Sequence, residues 1–287
     1  MRIERLCIIG VGLIGGSLAR ALRANDAVGE VVGCSRSAEH LQQAVDLGVI
    51  DRYDTDPAQA VAGADLVLVA VPMGAMEAVF KQIRPHLAPD AVITDVGSAK
   101  GAVVDAAQKA FGGVPANLVP GHPIAGTERS GVAASFAELF RQRRVILTPL
   151  AHTDAEAVER VRGLWETAGA EVVEMGVEHH DRVLAATSHL PHILAYATVD
   201  SLARLHEHDE IFQYAAGGFR DFTRIAGSDP VMWRDICLAN REAILEMIAH
   251  FQVDLTALTE AIQARDGERL VEIFSRAKRA RDEHAPR

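Results

Sequence analysis

The chain has 287 residues, a length that suggests two domains, and 49% of them are hydrophobic, which is enough for sizeable cores. Its net charge of −10 and its lack of a basic stripe argue against nucleic acid or an anionic membrane as a partner. The three cysteines, Cys7, Cys34 and Cys237, lie far apart and indicate reduced thiols, not disulfides or zinc ligands. No apolar run is long enough to cross a bilayer, and the first strand begins too early to leave room for a signal peptide, so we expect a cytoplasmic protein.

The first element is an apolar strand that leads into a glycine-rich turn. Glycines stand at Gly10, Gly12 and Gly15, and a helical pattern follows them. A G-x-G-x-x-G spacing between a strand and a helix is typical of a dinucleotide-binding βαβ unit, where the cofactor pyrophosphate meets the glycine backbone and the helix N-terminus. A purely structural turn is the alternative. We expect Leu13 and Ile14, at the start of the helix, to contact the cofactor as well.

The end of the second predicted strand bears on the choice of cofactor. Dinucleotide-binding units usually place an acidic residue there, where it binds the adenosine ribose. This chain has Ser35, Arg36 and Ser37 instead, and a guanidinium with hydroxyls suits a 2′-phosphate. The pattern therefore favours NADP, or the use of both NADP and NAD. Alternatively, Arg36 is only a solvated side chain and Ser37 only a helix N-cap.

Strands and helices alternate through the first half of the chain. Apolar runs predict strands at residues 30–34, 65–71, 91–95, 117–119, 144–148 and 171–174. This α/β rhythm predicts a Rossmann-type, doubly wound and mostly parallel sheet that extends to residue 174. Ligands of such sheets lie beyond the carboxyl ends of the strands. Val71 and Pro72, directly after one strand, are therefore expected cofactor contacts.

The second half of the chain has helical patterns and no strand pattern after residue 175. Asp229 and Pro230, which follow Ser228, predict a helix start, since a capping residue precedes a proline in the first turn. From Met232 to Leu258, apolar residues recur every three or four positions and predict one amphipathic helix of about 30 residues. A small domain cannot bury so long a stripe. We therefore expect a dinucleotide-binding domain, residues 1–174, and an all-α domain, residues 175–287, that forms a homodimer. A monomer with a self-contained helical bundle is the alternative.

Two segments at the carboxyl edge of the sheet carry candidate catalytic groups. His122 stands between two prolines and two glycines just past a strand, which predicts a rigid loop that presents an imidazole. The alternative is a histidine whose ring is satisfied by backbone groups within a turn. Ser98 follows the strand at 91–95 and could either cap the next helix or hold a hydroxyl against the same pocket.

Two segments of the helical half carry further polar groups. His189 and His192 are three residues apart on one predicted helix face, but no thiol or carboxylate accompanies them, so we predict no metal site. Arg220 and Arg224 follow a pair of glycines. Either arginine could clamp a substrate carboxylate or pair with a nearby aspartate, and the spacing does not favour one of these roles.

Five segments occur in this chain in the same order as in one enzyme family: GVGLIGGS, DVGSAK, GHPIAGTERSG, ATSHLPH and GFRDFTRIAGSDPVMWRDI. Over nearly its whole length, the chain resembles the prephenate/arogenate dehydrogenase family. The resemblance implies a nucleotide-binding domain followed by a helical dimerisation domain. It further implies NAD(P)-dependent oxidative decarboxylation of prephenate or arogenate to 4-hydroxyphenylpyruvate or tyrosine, a step of tyrosine biosynthesis.

The resemblance also implies roles for individual residues. His122 would bind the ring 4-hydroxyl of the substrate and draw off its proton as hydride leaves the same carbon. Ser98 would orient His122 and contact that hydroxyl, and Arg224 would bind a substrate carboxylate. The remaining pocket residues implied in this way are His189, His192, Thr127 and Glu128.

Two other protein classes fit parts of the pattern. A two-domain β-hydroxyacid dehydrogenase would share the glycine turn and the helical second domain, but many such enzymes use a catalytic lysine there. This chain has no lysine between Gly176 and Arg265. A non-enzymatic NAD(P)-binding regulatory dimer would not need His122, Ser98 and Arg224 together.

Overall fold

The computed structural model describes residues 2–127 and 129–284, and these divide after Arg241 into two compact units. The strands are β1 Ile3–Ile9, β2 Val28–Cys34, β3 Arg52–Asp54, β4 Leu66–Val69, β5 Val92–Asp95, β6 Leu118–Val119, β7 Gly121–Pro123, β8 Arg144–Leu147 and β9 Glu171–Glu174. The helices are α1 Leu13–Ala24, α2 Ala38–Asp46, α3 Pro57–Ala60, α4 Met76–Ile83, α5 Lys100–Phe111, α6 Ala155–Thr167, α7 Val177–Leu184, α8 Leu190–Ala203, α9 His208–Gln213, α10 Gly217–Thr223, α11 Pro230–Ala239, α12 Arg241–Gln263 and α13 Gly267–His284.

The first unit is built on a six-stranded parallel sheet in the order β3-β2-β1-β4-β5-β6. Strand β1 lies in the middle, and its successive side chains point into two separate cores. Leu6 and Ile8 pack into one core, and Cys7 and Ile9 pack into the other. Burial on both faces explains why these strands are continuous apolar runs, as parallel strands covered by helices are. The predicted doubly wound fold is confirmed.

The sheet is shorter than the sequence predicts, because the last strands form a second sheet. Strand β7 pairs antiparallel with β8, and β8 pairs parallel with β9. The chain leaves the main sheet at Pro120, which follows the two-residue strand β6 and whose carbonyl oxygen accepts a bond from the N–H of Thr148. Proline has no N–H for a continued ladder, so pairing resumes in another direction. The prediction that residues 144–148 and 171–174 extend one sheet is wrong. It also missed β3 and β7.

The helical part of the first unit begins with α7, which packs against α5. The boundary predicted between residues 174 and 175 marks a change from strands to helices but lies within the first unit, and it stays a prediction. One turn between α7 and α8, Ala185–His189, is π-helical. It precedes Pro191, which has no N–H to bond the carbonyl group four residues earlier, and this accounts for the wider turn.

The predicted helix of about 30 residues is two helices, α11 and α12, so that prediction is wrong in its length. Its start is confirmed, since Asp229 Oδ1 accepts bonds from the N–H groups of Val231 and Met232, and Pro230 is the first helical residue. The break falls at Asn240, whose φ of −111° and ψ of 34° leave the helical region. The side chain of Asn240 is buried and bonded to groups outside the helix, which stabilises this break against continuation.

The second unit, described to residue 284, contains the rest of α12 and all of α13. Arg265, at the turn between them, has a φ of +54°. Several large apolar side chains of this unit are exposed, among them Val253, Ile262, Val271 and Phe274. Within the described part of the chain, no helix has the length and apolar character needed to cross a membrane.

Candidate active site

The turn after β1 has the backbone that its glycines predict. Gly10 has a φ of +100°, and a Cβ atom there would lie 2.1 Å from the carbonyl oxygen of Ala70. A Cβ atom at Gly15 would lie 2.7 Å both from the carbonyl oxygen of Gly10 and from Cγ2 of Ile8. Helix α1 therefore packs close to β1, and the fold itself requires glycine at both positions.

Gly12 differs from them, because the described part of the protein does not require it. Its φ is −106°, which any residue adopts, and a Cβ atom there would meet no atom within 4 Å. Gly12 is the N-cap of α1, and the first turn of that helix contains no acidic residue. Open space in front of free N–H groups fits the pyrophosphate of a dinucleotide. Leu13 and Ile14, both half-buried, begin the helix at this place.

The end of β2 presents the predicted hydroxyls and guanidinium. Ser35 Oγ lies 3.3 Å from the carbonyl oxygen of Ser37 and 3.4 Å from its N–H nitrogen, and Ser37 caps α2. Arg36 lies between them and is exposed. Cys34 is in register with Asp54 of β3, so a carboxylate stands on the neighbouring strand. Ser37 is thus a helix N-cap, as the alternative interpretation required, and its backbone is bonded to the hydroxyl of Ser35.

A buried ion pair joins the end of β5 to β7. Lys100, the first residue of α5, is fully buried, and its Nζ donates to Asp95 Oδ2 and to the carbonyl oxygen of Gly121, both at 2.5 Å. Asp95 also accepts bonds from the N–H groups of Gly97 and Gly121. Burial lowers the pKa of Lys100, and the negative charge of Asp95 opposes this shift. These bonds hold the residue before His122 against the end of β5.

His122 lies on strand β7. The sequence predicts a rigid loop there, and this prediction is wrong, because Gly121–Pro123 pairs antiparallel with β8 and His122 stands opposite Ile146. The flanking prolines hid the strand, although a proline carbonyl still accepts a bond, as that of Pro120 does from Thr148. His122 is partly exposed, and its ring faces the cavity described below.

A chain of hydrogen bonds fixes the protonation of the His122 ring. Nδ1 of His122 lies 2.9 Å from Nε2 of His180, and Nδ1 of His180 lies 2.8 Å from Oδ1 of Asp181. A carboxylate only accepts, so neutral His180 carries its proton on Nδ1 and its Nε2 accepts. His122 must then donate from Nδ1, which leaves Nε2 of His122 without a proton. The chain therefore prepares His122 as a base.

The charges around this chain favour an ionised Asp181 and neutral histidines. Burial alone would raise the pKa of Asp181, but its bonds with His180 and with the N–H groups of Gly101 and Lys100 outweigh it, and the pKa is lowered. Burial, and then the positive charge of Lys100, hold the pKa of His122 well below the usual histidine range. Burial also lowers the pKa of His180, although its bond to Asp181 opposes this. Each shift preserves the proton arrangement just described.

The other two histidines, His189 at the end of the π-helical turn and His192 in α8, have different surroundings. His189 is 1% exposed, and its Nδ1 lies 3.1 Å from Nδ2 of Asn240. Burial lowers its pKa to about 4. His192 donates from Nδ1 to the carbonyl oxygen of Ser188 at 2.9 Å, and its ring stacks on Trp233 with centroids 3.8 Å apart. Burial lowers the pKa of His192, and the positive charge of Arg224 lowers it further.

A cavity of about 550 Å³ brings these groups together. Its wall includes His122, Thr127, His192, Arg224 and Trp233.

Ser98 lies in the bend after β5, and the described residues show no hydrogen bond between it and His122, whose ring bonds His180. His189 is buried behind the wall, and Glu128 lies outside the described residues. Val71, which is half-buried, and Pro72, which is exposed, follow β4, and no metal-binding group of side chains occurs in the described ranges.

Two family models match consecutive parts of the chain. Residues 18–174 match the nucleotide-binding domain of prephenate dehydrogenase, and residues 176–276 match its dimerization domain. The chain belongs to the prephenate dehydrogenase family. The resemblance seen in the sequence motifs is thereby confirmed, and the protein is an oxidoreductase.

Individual members of the prephenate dehydrogenase family match over almost the whole chain. A cyclohexadienyl dehydrogenase from Zymomonas mobilis is 42% identical over 283 residues, which cover 97% of this chain and 95% of that protein. The crystal structure of prephenate dehydrogenase from Aquifex aeolicus, in complex with hydroxyphenyl propionate and NAD⁺, has 39% identity and a TM-score of 0.91, and 99% of each chain is covered. The Synechocystis arogenate dehydrogenase has 27% identity and a TM-score of 0.81, with 98% and 99% covered.

Sequence reasoning missed the residues that hold the base. His180 and Asp181 gave no signal, because a histidine before an aspartate on a polar helix is ordinary. Asn240 was hidden by the apolar stripe around it. Lys100 and Trp233 stand inside the matched motifs DVGSAK and MWRDI, so the motifs could have drawn attention to them.

The two glycines of the turn should respond differently to alanine. Gly10→Ala should lower the free energy of unfolding by about 2–4 kcal/mol, because a Cβ atom at positive φ would collide with Ala70. Gly12→Ala should leave that free energy nearly unchanged but weaken NAD(P)H binding about tenfold or more, since the Cβ atom fills the place of the pyrophosphate. Thermal unfolding measures the change in stability, and fluorescence titration with NAD(P)H measures the change in cofactor affinity. Unchanged NAD(P)H binding by Gly12→Ala would contradict the assigned cofactor site.

His180 should be needed for turnover although it lies behind His122. His180→Phe removes the acceptor for Nδ1 of His122, so kcat should fall about 10- to 100-fold with little change in KM. In the unaltered enzyme, activity should persist below pH 6.5, because the lowered pKa keeps His122 unprotonated there. The matched control is His179→Phe, an exposed neighbour on α7, which should leave kcat unchanged. Equal kcat values for the two variants would argue against the hydrogen-bond chain.

Proposed function

We propose that this protein catalyses the NAD(P)-dependent oxidative decarboxylation of prephenate, arogenate or both, to 4-hydroxyphenylpyruvate or tyrosine, in tyrosine biosynthesis. One observation carries the proposal: the Asp181–His180–His122 chain leaves an unprotonated Nε2 at a cavity that Arg224 also lines. The names of its relatives support the same activity, since they include cyclohexadienyl, prephenate and arogenate dehydrogenases.

In the proposed mechanism, His122 moves one proton while the substrate loses hydride and CO₂. Bound NAD(P)⁺ supplies the hydride acceptor. Nε2 of His122 takes the proton of the ring 4-hydroxyl, while the carbon that bears this hydroxyl loses hydride and becomes a carbonyl carbon. The bond to the ring carboxylate breaks, its electron pair makes the ring aromatic, and the resulting phenolate recovers the proton from His122. No net proton is consumed, so His122 needs only to stay neutral between turnovers, as its lowered pKa allows.

The other cavity residues bind and orient the substrate in this proposal. Arg224 binds a carboxylate, and its guanidinium lies close enough to His192 to affect the pKa of that ring. His192, rigid on Trp233, faces the substrate side chain, and Thr127 lies at the cavity mouth. Ser98 remains the proposed contact of the 4-hydroxyl. We propose that His180 orients the ring of His122. His189 is buried behind the cavity wall and contributes to the pocket without lining it.

The proposed residues at the cofactor are Gly10, Gly12, Leu13, Ile14, Gly15, Ser35, Arg36, Ser37, Val71 and Pro72. The end of β2 favours NADP over NAD, because Arg36 with Ser35 and Ser37 offers a cation and hydroxyls to a 2′-phosphate. Asp54 on the neighbouring strand opposes a phosphate at the same place, so use of both cofactors stays within the proposal.

We further propose a homodimer formed through the C-terminal helices, located in the cytoplasm and without nucleic-acid or membrane partners. The match of residues 176–276 to a dimerization domain supports the dimer. The exposed apolar side chains of the second unit support it independently: Val253 is 70% exposed and Val271 64%. Apolar surface of this kind is typically covered by a partner. We propose the domain boundary at 174/175 because one family model matches residues 18–174 and the next matches residues 176–276.

Initial rates with two substrates and two cofactors test the activity. We expect reduced nicotinamide to form, measured by its absorbance, with prephenate or arogenate. His122→Asn should lower kcat about 10²- to 10⁴-fold with a modest change in KM, because the proton acceptor is lost. His250→Asn, an exposed histidine on α12, is the control. Undiminished kcat in His122→Asn would rule out its role. Tight cofactor binding without turnover of either substrate would favour a non-enzymatic NAD(P)-binding dimer.

Arg36→Gln tests the cofactor preference. Loss of the guanidinium should raise the KM for NADP about tenfold while that for NAD changes little, since only NADP carries the 2′-phosphate. Arg279→Gln, an exposed arginine on α13, is the matched control and should change neither KM. Equal effects of Arg36→Gln on both cofactors would show that Arg36 does not read the 2′-phosphate.

A further inference from the structure

One buried amide lies between two pairs of histidines in the site. The first pair is His122 and His180, and the second is His189 and His192. Asn240, at the break between α11 and α12, is 5% exposed. Its Nδ2 lies 2.8 Å from the carbonyl oxygen of Asp181 and 3.1 Å from Nδ1 of His189. Asp181 belongs to the chain that holds His122, and His189 lies in the π-helical turn just before α8, the helix that carries His192.

The first of these contacts determines which way the amide points. A backbone carbonyl oxygen only accepts, so the atom of Asn240 that faces Asp181 is the NH₂ nitrogen. The same nitrogen faces His189, and its second hydrogen points there. Nδ1 of His189 therefore accepts, and the proton of neutral His189 is on Nε2. Its pKa of about 4 agrees with a ring that stays neutral at physiological pH.

The contacts of Asn240 reach both sides of the cavity. On one side, Asp181 holds the ring of His180, which in turn bonds His122. On the other side, the rings of His189 and Trp233 form a T-shaped pair with centroids 6.1 Å apart, and Trp233 stacks on His192. The side chain of Asn240, the residue at the break between α11 and α12, thus contacts both groups.

We propose that Asn240 is a positioning residue for the reaction, which holds the backbone of Asp181 and fixes the His189 tautomer so that His122 and His192 face the substrate together. The expected effects of Asn240 variants on kcat rest on the proposed function, and the rest of this proposal does not. The tautomer and the hydrogen bonds exist with or without a substrate.

Long-range ¹H–¹⁵N spectra of histidine-labelled enzyme test the tautomer directly. His189→Gln identifies the signals of His189 by their loss. In the unaltered enzyme, we expect the proton of His189 on Nε2. In Asn240→Asp, the carboxylate can only accept, so the proton of His189 should move to Nδ1. A proton on Nδ1 of His189 in the unaltered enzyme would overturn the proposal, and this measurement requires no folded variant of Asn240.

Kinetics distinguish positioning from simple support of the fold. Asn240→Ala and Asn240→Asp should lower kcat about tenfold or more, with the KM for the cofactor within a factor of about two. Asn117→Ala is the matched control, because Asn117 also donates its amide to a backbone carbonyl, that of Ala91, at the N-terminal edge of the sheet. It should lower stability but not kcat.

The outcomes of these experiments separate this proposal from the proposed function. If the Asn240 variants lose no more kcat than Asn117→Ala does, the positioning role is excluded. If the unaltered enzyme turns over neither prephenate nor arogenate, the proposed function fails, whereas the His189 tautomer still decides whether Asn240 holds the ring as described.

Discussion

The carboxylate of Asp181 is the interaction on which the rest of the site depends. It accepts hydrogen bonds from the backbone N–H groups of Lys100 and Gly101 at the start of α5 and from the Nδ1–H of His180. A buried carboxylate is costly unless its acceptor positions are filled, and here a helix N-terminus and an imidazole fill them. One side chain of α7 therefore joins α7 to the N-terminus of α5 and, through His180, determines which nitrogen of His122 is free. If Asp181 were neutral, both functions would be lost together.

The opposite side of His122 is held by the ion pair of Lys100 and Asp95. Lys100 reaches the carbonyl group of Gly121, so the strand that carries His122 is fixed through its backbone on one side and through its ring on the other. Burial and, next, the positive charge of Lys100 lower the pKa of His122 and so disfavour its protonation. A base held neutral in this way is ready to accept a proton in each turnover.

The fold followed from local patterns, and the site followed only in part. The glycines at 10 and 15 and the apolar runs of β1, β4 and β5 are required by backbone geometry and burial, so the sequence revealed them directly. His122 could be singled out by its flanking residues, but its place on β7 depends on pairing with β8, more than 20 residues later. His180 and Asn240 act through contacts with residues 58 and 51 positions away, and no periodicity or local spacing records such contacts. The predicted continuous helix failed for the same reason, since the break at Asn240 is stabilised by partners outside the helix.

The four neutral histidines tie the pH range of the site to that of the fold. His122, His180, His189 and His192 all have lowered pKa values, with burial as the leading cause. A histidine with a folded-state pKa below its unfolded value of 6.5 binds more protons when unfolded, so full stability is present above pH 6.5 and is lost as the pH falls below it. For His189 the loss extends down to about pH 4. Protonation would place several positive charges beside Lys100 and Arg224 in one small region, and it would break the bond that His189 accepts from Asn240. The same protonation that would inactivate His122 as a base thus also destabilises the cluster that positions it, so in this protein the acid limits of activity and of stability have a common physical origin.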